Sequence, residues 1–155
     1  MTNLVNNGSF QLGTTTASGT KWGKWTPSTS TSSKISVDTD NNKYNFCEIS
    51  SFDIITLSQN ITLQKGSYVF NYKLTTASTG FGSLNVKILY GNNNTYYNSS
   101  PSSGTGPTSV NAGTWRKFEG KFTVNNNNTT ITLKFTSDNV YNFLYLTQVS
   151  LTKLK

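Results

Sequence analysis

Residues 58–74, SQNITLQKGSYVFNYKL, carry the clearest alternation of apolar and polar positions in the chain. Gln59, Ile61 and Leu63 alternate with Ser58, Asn60 and Thr62. Beyond Gln64-Lys65-Gly66, Tyr68, Phe70, Tyr72 and Leu74 alternate with Ser67, Val69, Asn71 and Lys73. A period of two means strands with one buried face. Lys65-Gly66 reads as the turn of a hairpin, because glycine takes positive φ at little steric cost and the flanks are β-branched or aromatic. Tyr68, Phe70 and Tyr72 share a face and are assigned to the core.

The same pattern recurs along the chain. An apolar start at residues 3–5 runs into an Asn-Gly turn, and a polar loop then holds Trp22 and Trp25 among glycines and Pro27. SKISV and KYNFCEI read as strands separated by a turn over residues 38–42, followed by FDIITL and GSLNVKILYG. WRKFEGKFTV and TTITLKFTS predict a second hairpin, connected through residues 125–128. The end is apolar on both faces around residues 143–146, which places it inside a sheet. Chain ends fray unless paired, so residues 3–5 and 144–151 are expected as sheet strands. Residues 91–114 form the longest stretch without strong periodicity, the kind of long loop that often carries function. About nine or ten short antiparallel strands imply an all-β fold, a single β-sandwich (jelly roll) domain over residues 1–155.

Composition sharpens this picture. Charged residues are only 12% of the chain and Asn, Ser, Thr and Gly dominate the polar remainder, which suits strands and loops and disfavours long helices. The net charge of +7 raises the question of nucleic acid, but the lysines are spread singly and Arg116-Lys117 is the one adjacent pair. Phosphate-tracking surfaces cluster their cations, so nucleic acid is not the expected partner. No apolar run is long enough to span a membrane, and residues 1–20 lack the pattern of a secretory leader. Cys47, the single cysteine, lies in an apolar alternation and is assigned to the core. Six Asn-x-Ser/Thr matches occur, as many as so Asn-rich a chain produces by chance.

With these strands in place, NLVNNGSF, Trp25 after a Gly-rich loop, SQNITLQKGSYVFNYKL, TWRKFEGKFTV and the closing YLTQVSL together resemble carbohydrate-binding modules of the family 4/9/16/22 type. The resemblance covers nearly the whole chain. It implies a jelly roll of the galactose-binding-like superfamily, a polysaccharide or glycan partner and an extracellular or virion-surface setting. Relatives often hold a structural calcium through an acidic residue after the N-terminal Gly-x-Phe and an Asp-Asp pair in the last strand. Here those positions are Gln11, Thr147 and Gln148, neutral groups that make a poor calcium site, so neither a metal nor a cofactor is expected.

The chemistry in the chain points the same way. Histidine is absent and only six acidic residues occur, of which Glu48, Asp53 and Glu119 fall in strands. No nucleophile-base set, phosphate loop or Cys/His cluster is present, and no catalytic residue is assigned. Aromatic rings beside amides are abundant. Sugars offer apolar C–H faces for stacking and hydroxyls for hydrogen bonding, which this combination can meet. The candidate ligand-binding residues are therefore Trp22, Trp25, Tyr96 and Tyr97 in polar loops, Tyr44, Tyr90 and Tyr141 near strand ends, and Asn45. Asn71 and Asn85 could add amides from faces opposite the core. Tyr96-Tyr97 leads, because adjacent residues on a strand point to opposite sides and one ring should face solvent. Trp115 is assigned a structural place beside Phe118. The competing function is that of a virion-surface protein, a capsid decoration or fibre, using the fold for self-assembly, scaffold binding or host adhesion.

Overall fold

The computed structural model describes residues 2–10, 23–28, 34–39, 45–51, 54–76, 83–103, 109–138 and 140–154; within the strands, the side chains of residues 34–39, 50–51, 103 and 140–143 lie outside the description. The chain forms β1 (Thr26–Pro27), β2 (Lys34–Thr39), β3 (Asn45–Ser51), β4 (Ile55–Leu63), β5 (Gly66–Thr76) and β6 (Ser83–Tyr90). It continues with β7 (Asn94–Ser99), β8 (Ser102–Ser103), β9 (Ser109–Val110), β10 (Arg116–Val124), β11 (Thr129–Asp138) and β12 (Val140–Lys153). No helix occurs among the described residues. Two antiparallel five-stranded sheets face each other, ordered β1-β4-β11-β6-β7 and β10-β5-β12-β3-β2, with β8 and β9 as a small parallel pair. This is the all-β sandwich the alternation predicts.

Neither of the two predicted hairpins forms. β4 pairs with β11 in the first sheet and β5 with β10 in the second, so each turn carries the chain across the sandwich. Period two says that a strand has one buried face. It does not say whether the next strand lies beside it or opposite it, and both arrangements bury the same residues. The two crossings are bolted together: Gln64 Nε2 donates to Asn128 Oδ1 at 2.9 Å and the Lys65 amide to Asn127 Oδ1 at 2.9 Å. Asn128 sits at φ 58°, a conformation asparagine tolerates better than most residues. Consecutive strands do pair elsewhere: β2 with β3, and β6 with β7 through residues 91–93, inside the stretch that lacked periodicity.

Inward residues from both sheets make a continuous core. Tyr68, Phe70, Tyr72, Leu133, Phe135, Leu144, Leu146 and Cys47 are all essentially inaccessible, as the alternation predicts for the residues of β5 and for Cys47. Residues 144–151 lie within β12 as expected, whereas residues 3–5 form no strand. They are nevertheless held on β12: Leu4 N donates to Leu151 O at 2.8 Å, and Asn3 bonds Val149 O and Leu151 N through its side-chain amide. An asparagine side chain here takes the place of a ladder.

The reason lies in β12, whose register slips between Thr147 and Ser150, leaving Gln148 as an extra residue at φ 48°. The bulge turns Val149 toward residues 7–10. Val149 N donates to Gly8 O at 2.9 Å, and a Cβ at Gly8 would strike the Val149 carbonyl. Backbone on both sides leaves nothing to yield. Gly8→Ala should therefore lower unfolding free energy by about 1–3 kcal/mol or more, read from the midpoint of urea unfolding at unchanged slope.

Candidate functional site

The leading sequence candidates turn out to close the sandwich. Between Ile88 and Leu89 the β6–β7 register shifts, with Ile88 opposite Tyr97 and Leu89 opposite Thr95, so Tyr96 is an extra residue. A bulge removes strict alternation, and both rings pack inward where opposite directions were expected. Tyr96 stacks between Tyr90 (centroids 3.8 Å, 14°) and Phe122 (5.0 Å, 21°), and Phe122 stacks on Tyr68 (5.7 Å, 17°). These rings span from β7, the edge of one sheet, to β10, the edge of the other. Tyr97 meets Phe70 and Tyr72 edge-on and lies over Gly120, where a Cβ would collide with its ring.

Trp25 is also internal. At 3% exposure it stacks on Phe10 (5.8 Å, 21°) and meets Phe135 edge-on, while its indole N–H donates to Asn7 O at 3.0 Å. Its ring faces are taken up by protein. Asn45 is half-buried at the start of β3, and its carbonyl accepts from the Thr147 hydroxyl. Trp22, Tyr44 and the Tyr141 side chain lie outside the described residues, as does Gln11. Asn71 and Asn85 lie on the outward faces of β5 and β6, as the alternation predicts.

Burial raises the pKa of three tyrosine hydroxyls here, those of Tyr68, Tyr72 and Tyr96. For Tyr72 burial is the main cause, reinforced by the Tyr97 hydroxyl 3.0 Å away, and its pKa is pushed far above the usual value. Tyr68 moves up through burial, partly offset by its bond to Gln64 O at 2.6 Å, and Tyr96 moves up through burial and then the neighbouring Tyr90. The seam therefore requires neutral tyrosines. In the unfolded chain they ionise near pH 10, so the folded state is fully favoured below that pH and loses ground above it. Stability should fall by about 1.4 kcal/mol per pH unit for Tyr72 alone as pH rises past about 10. Tyr72→Phe should flatten that alkaline limb in urea titrations at pH 9 to 11.5, whatever it costs at neutral pH.

The exposed chemistry sits elsewhere, on the outer face of the β10-β5-β12-β3-β2 sheet. Cys47, Ile49, Leu144 and Leu146 point inward, so Phe46, Glu48 and Tyr145 between them point out. Phe46 packs against Tyr145 (4.6 Å, 50°) and Trp115 (6.1 Å, 51°), forming a floor 7% exposed beneath two half-exposed rings. Further along the same face lies a pocket of about 320 Å³ lined by Asn3, Asn71, Lys73, Lys117, Gln148 and Ser150 among others. Asn71 Nδ2 reaches Ser150 Oγ at 3.5 Å, and the buried Asn71 Oδ1 accepts no hydrogen bond. The β12 bulge supplies one wall of this pocket through Gln148.

This face combines rings with amide, hydroxyl and ammonium groups. The carboxylates among its described side chains, Glu48 on β3 and Glu119 on β10, are three strand spacings apart, roughly 14 Å laterally, against the about 5–9.5 Å that paired glycosidase carboxylates need. Among the described residues no group of three or more His, Cys, Asp or Glu converges on a metal position. Phe46 and Tyr145 are outward by the same alternation that buries Cys47 on β3 and Leu144 and Leu146 on β12. The buried Cys47 already implied that Phe46 faces out.

No protein-family model matches the sequence, and no curated protein matches it. Solved structures do. A family 61 carbohydrate-binding module in complex with β-1,4-galactotriose superposes with TM-score 0.70 at 12% identity, covering 99% of this chain and 100% of that one. A family 4 module gives TM-score 0.66 at 18% identity, covering 96% and 99%. The fold is that of the jelly-roll carbohydrate-binding modules. The enzymatically active domain of bacteriophage CBA120 tailspike protein 4 also contains it, at TM-score 0.64 and 12% identity, with 98% of this chain matching 21% of the tailspike chain.

Proposed function

We propose that the chain is a non-catalytic carbohydrate-binding domain that takes a glycan on the outer face of the β10-β5-β12-β3-β2 sheet. The observation that carries this reading is the Trp115–Phe46–Tyr145 trio on the solvent side of a sheet whose core is already complete. One sugar of an oligosaccharide stacks its C–H face on Trp115 or Tyr145, and hydroxyls of a sugar about 13 Å further along the face meet Asn71, Gln148 and Ser150. Fold likeness supports the reading: one matched module was solved with β-1,4-galactotriose and another, joined to a xylanase, with xylohexaose.

Titration of the chain with these two oligosaccharides, beside a glycan array, tests it directly. Trp115→Ala and Tyr145→Ala should each weaken the best ligand at least about tenfold while leaving the unfolding midpoint near wild type, since stacked aromatic anchors dominate such sites. Glu48→Gln should abolish no turnover. Unchanged affinity in the Trp115→Ala/Tyr145→Ala double variant would remove the platform from consideration.

A second reading, a virion-surface protein that uses the same fold for assembly or host adhesion, draws support from the tailspike likeness. A blank array from folded protein, together with self-association in sedimentation, would favour it.

A further inference from the structure

The opposite face of the sandwich, on the β1-β4-β11-β6-β7 sheet, has a different chemistry. Val86, Ile88, Leu133 and Phe135 are buried, so Lys87 on β6 and Lys134 on β11 point outward. The two lysines are direct cross-strand partners. Ser58 flanks Lys134 on one side and Asn98 flanks Lys87 on the other, so the pair sits mid-sheet on a neutral row. Like charges placed opposite each other destabilise a sheet. Lys117 and Glu119 form an ion pair, but on the other sheet. Asp138, the one carboxylate carried by these five strands, lies four residues along β11 from Lys134, about 13 Å away.

The surroundings form a receptor rather than a bare charge. Lys87, Lys134, Asn85, Thr95 and Thr136 line a depression of about 320 Å³. Asn85 Nδ2 donates to Asn98 Oδ1 (2.9 Å), Ser99 O (3.3 Å) and Ser100 Oγ (3.2 Å), which fixes its amide and ties β6 to β7 at the rim. No aromatic ring projects from these strands on this face, so stacking contributes nothing and charge and hydrogen bonding remain.

We infer that Lys87 and Lys134 form a second binding site, specific for the carboxylate or sulfate groups of an acidic polysaccharide, on the face opposite the aromatic trio. The anion bridges the two ammonium groups and relieves their repulsion, and the threonine and asparagine side chains bond the neighbouring sugar hydroxyls. A single-stranded nucleic acid is disfavoured because its bases find no ring to stack on. The inference stands independently of the proposed neutral-glycan platform.

The test measures binding of the full chain to a polyuronate and to a sulfated polysaccharide by calorimetry at low and high salt. Affinity should fall steeply with salt. Lys87→Gln and Lys134→Gln should each weaken it about threefold to fivefold, and the double variant tenfold or more. The double variant should also match or exceed the wild-type unfolding midpoint, because it removes a repulsion. Lys24→Gln/Lys65→Gln, with the same change in net charge on exposed lysines elsewhere, and Tyr145→Ala should retain binding. Three results would overturn the site: no binding of either polymer, equal loss in the Lys24/Lys65 control, or single-stranded DNA binding as tightly as the polysaccharides.

Discussion

Each long strand of this protein has one apolar face, and with no helix among the described residues those faces are buried against one another. The crossings at residues 64–65 and 125–128 make this possible. By sending β5 and β10 across from β4 and β11, they place consecutive apolar strands face to face. The two crossings are adjacent because the strands they connect are paired in both sheets. Amide side chains of Gln64, Asn127 and Asn128 satisfy the backbone and each other where these two crossings leave their ladders. Everything else in the architecture depends on that doubled turn.

A sandwich made this way has open sides, and the protein closes one with rings. Tyr90, Tyr96, Phe122 and Tyr68 stack from β7 to β10, while Tyr97 fills the space that Gly120 leaves by having no side chain. The bulge at Tyr96 makes the seam, since an unbroken β7 would have pointed one tyrosine outward. The bulge at Gln148 does comparable work at the other face. It brings Val149 against Gly8, docks residues 3–10 without a strand and builds a wall of the pocket beside Asn71.

The two outer faces then differ in chemistry. One carries Trp115, Phe46 and Tyr145 with amides alongside, chemistry matched to the C–H faces and hydroxyls of a neutral sugar. The other is a field of Thr, Ser and Asn with two opposed lysines at its centre, matched to an anion. A chain holding both could grip a heterogeneous polysaccharide from two sides, or join two different polymers. The low content of charge makes the lysine pair stand out, since most of the first sheet's outer surface is neutral.

Alternation alone determined the long strands from β2 to β6 and from β10 to β12, the inward residues of β5, β6, β10 and β11 and the sandwich class, because a strand's side chains obey a local period whatever it pairs with; β1, β7, β8 and β9 lie in stretches that read as loop. Cys47 in the core and the outward Asn71 and Asn85 follow from the same rule. Pairing did not follow from it. Whether residues 58–74 make a hairpin or an arch depends on β10 and β11, which lie more than forty residues downstream. Tyr96 and Tyr97 were misread for a related reason: a bulge is a property of two strands in register, invisible in either one. The proposed ligand face was legible only in part, since Phe46, Trp115 and Tyr145 come from three distant segments. Only the tertiary structure, by choosing which strands share a sheet, decided that these rings meet on one surface and those two lysines on the other.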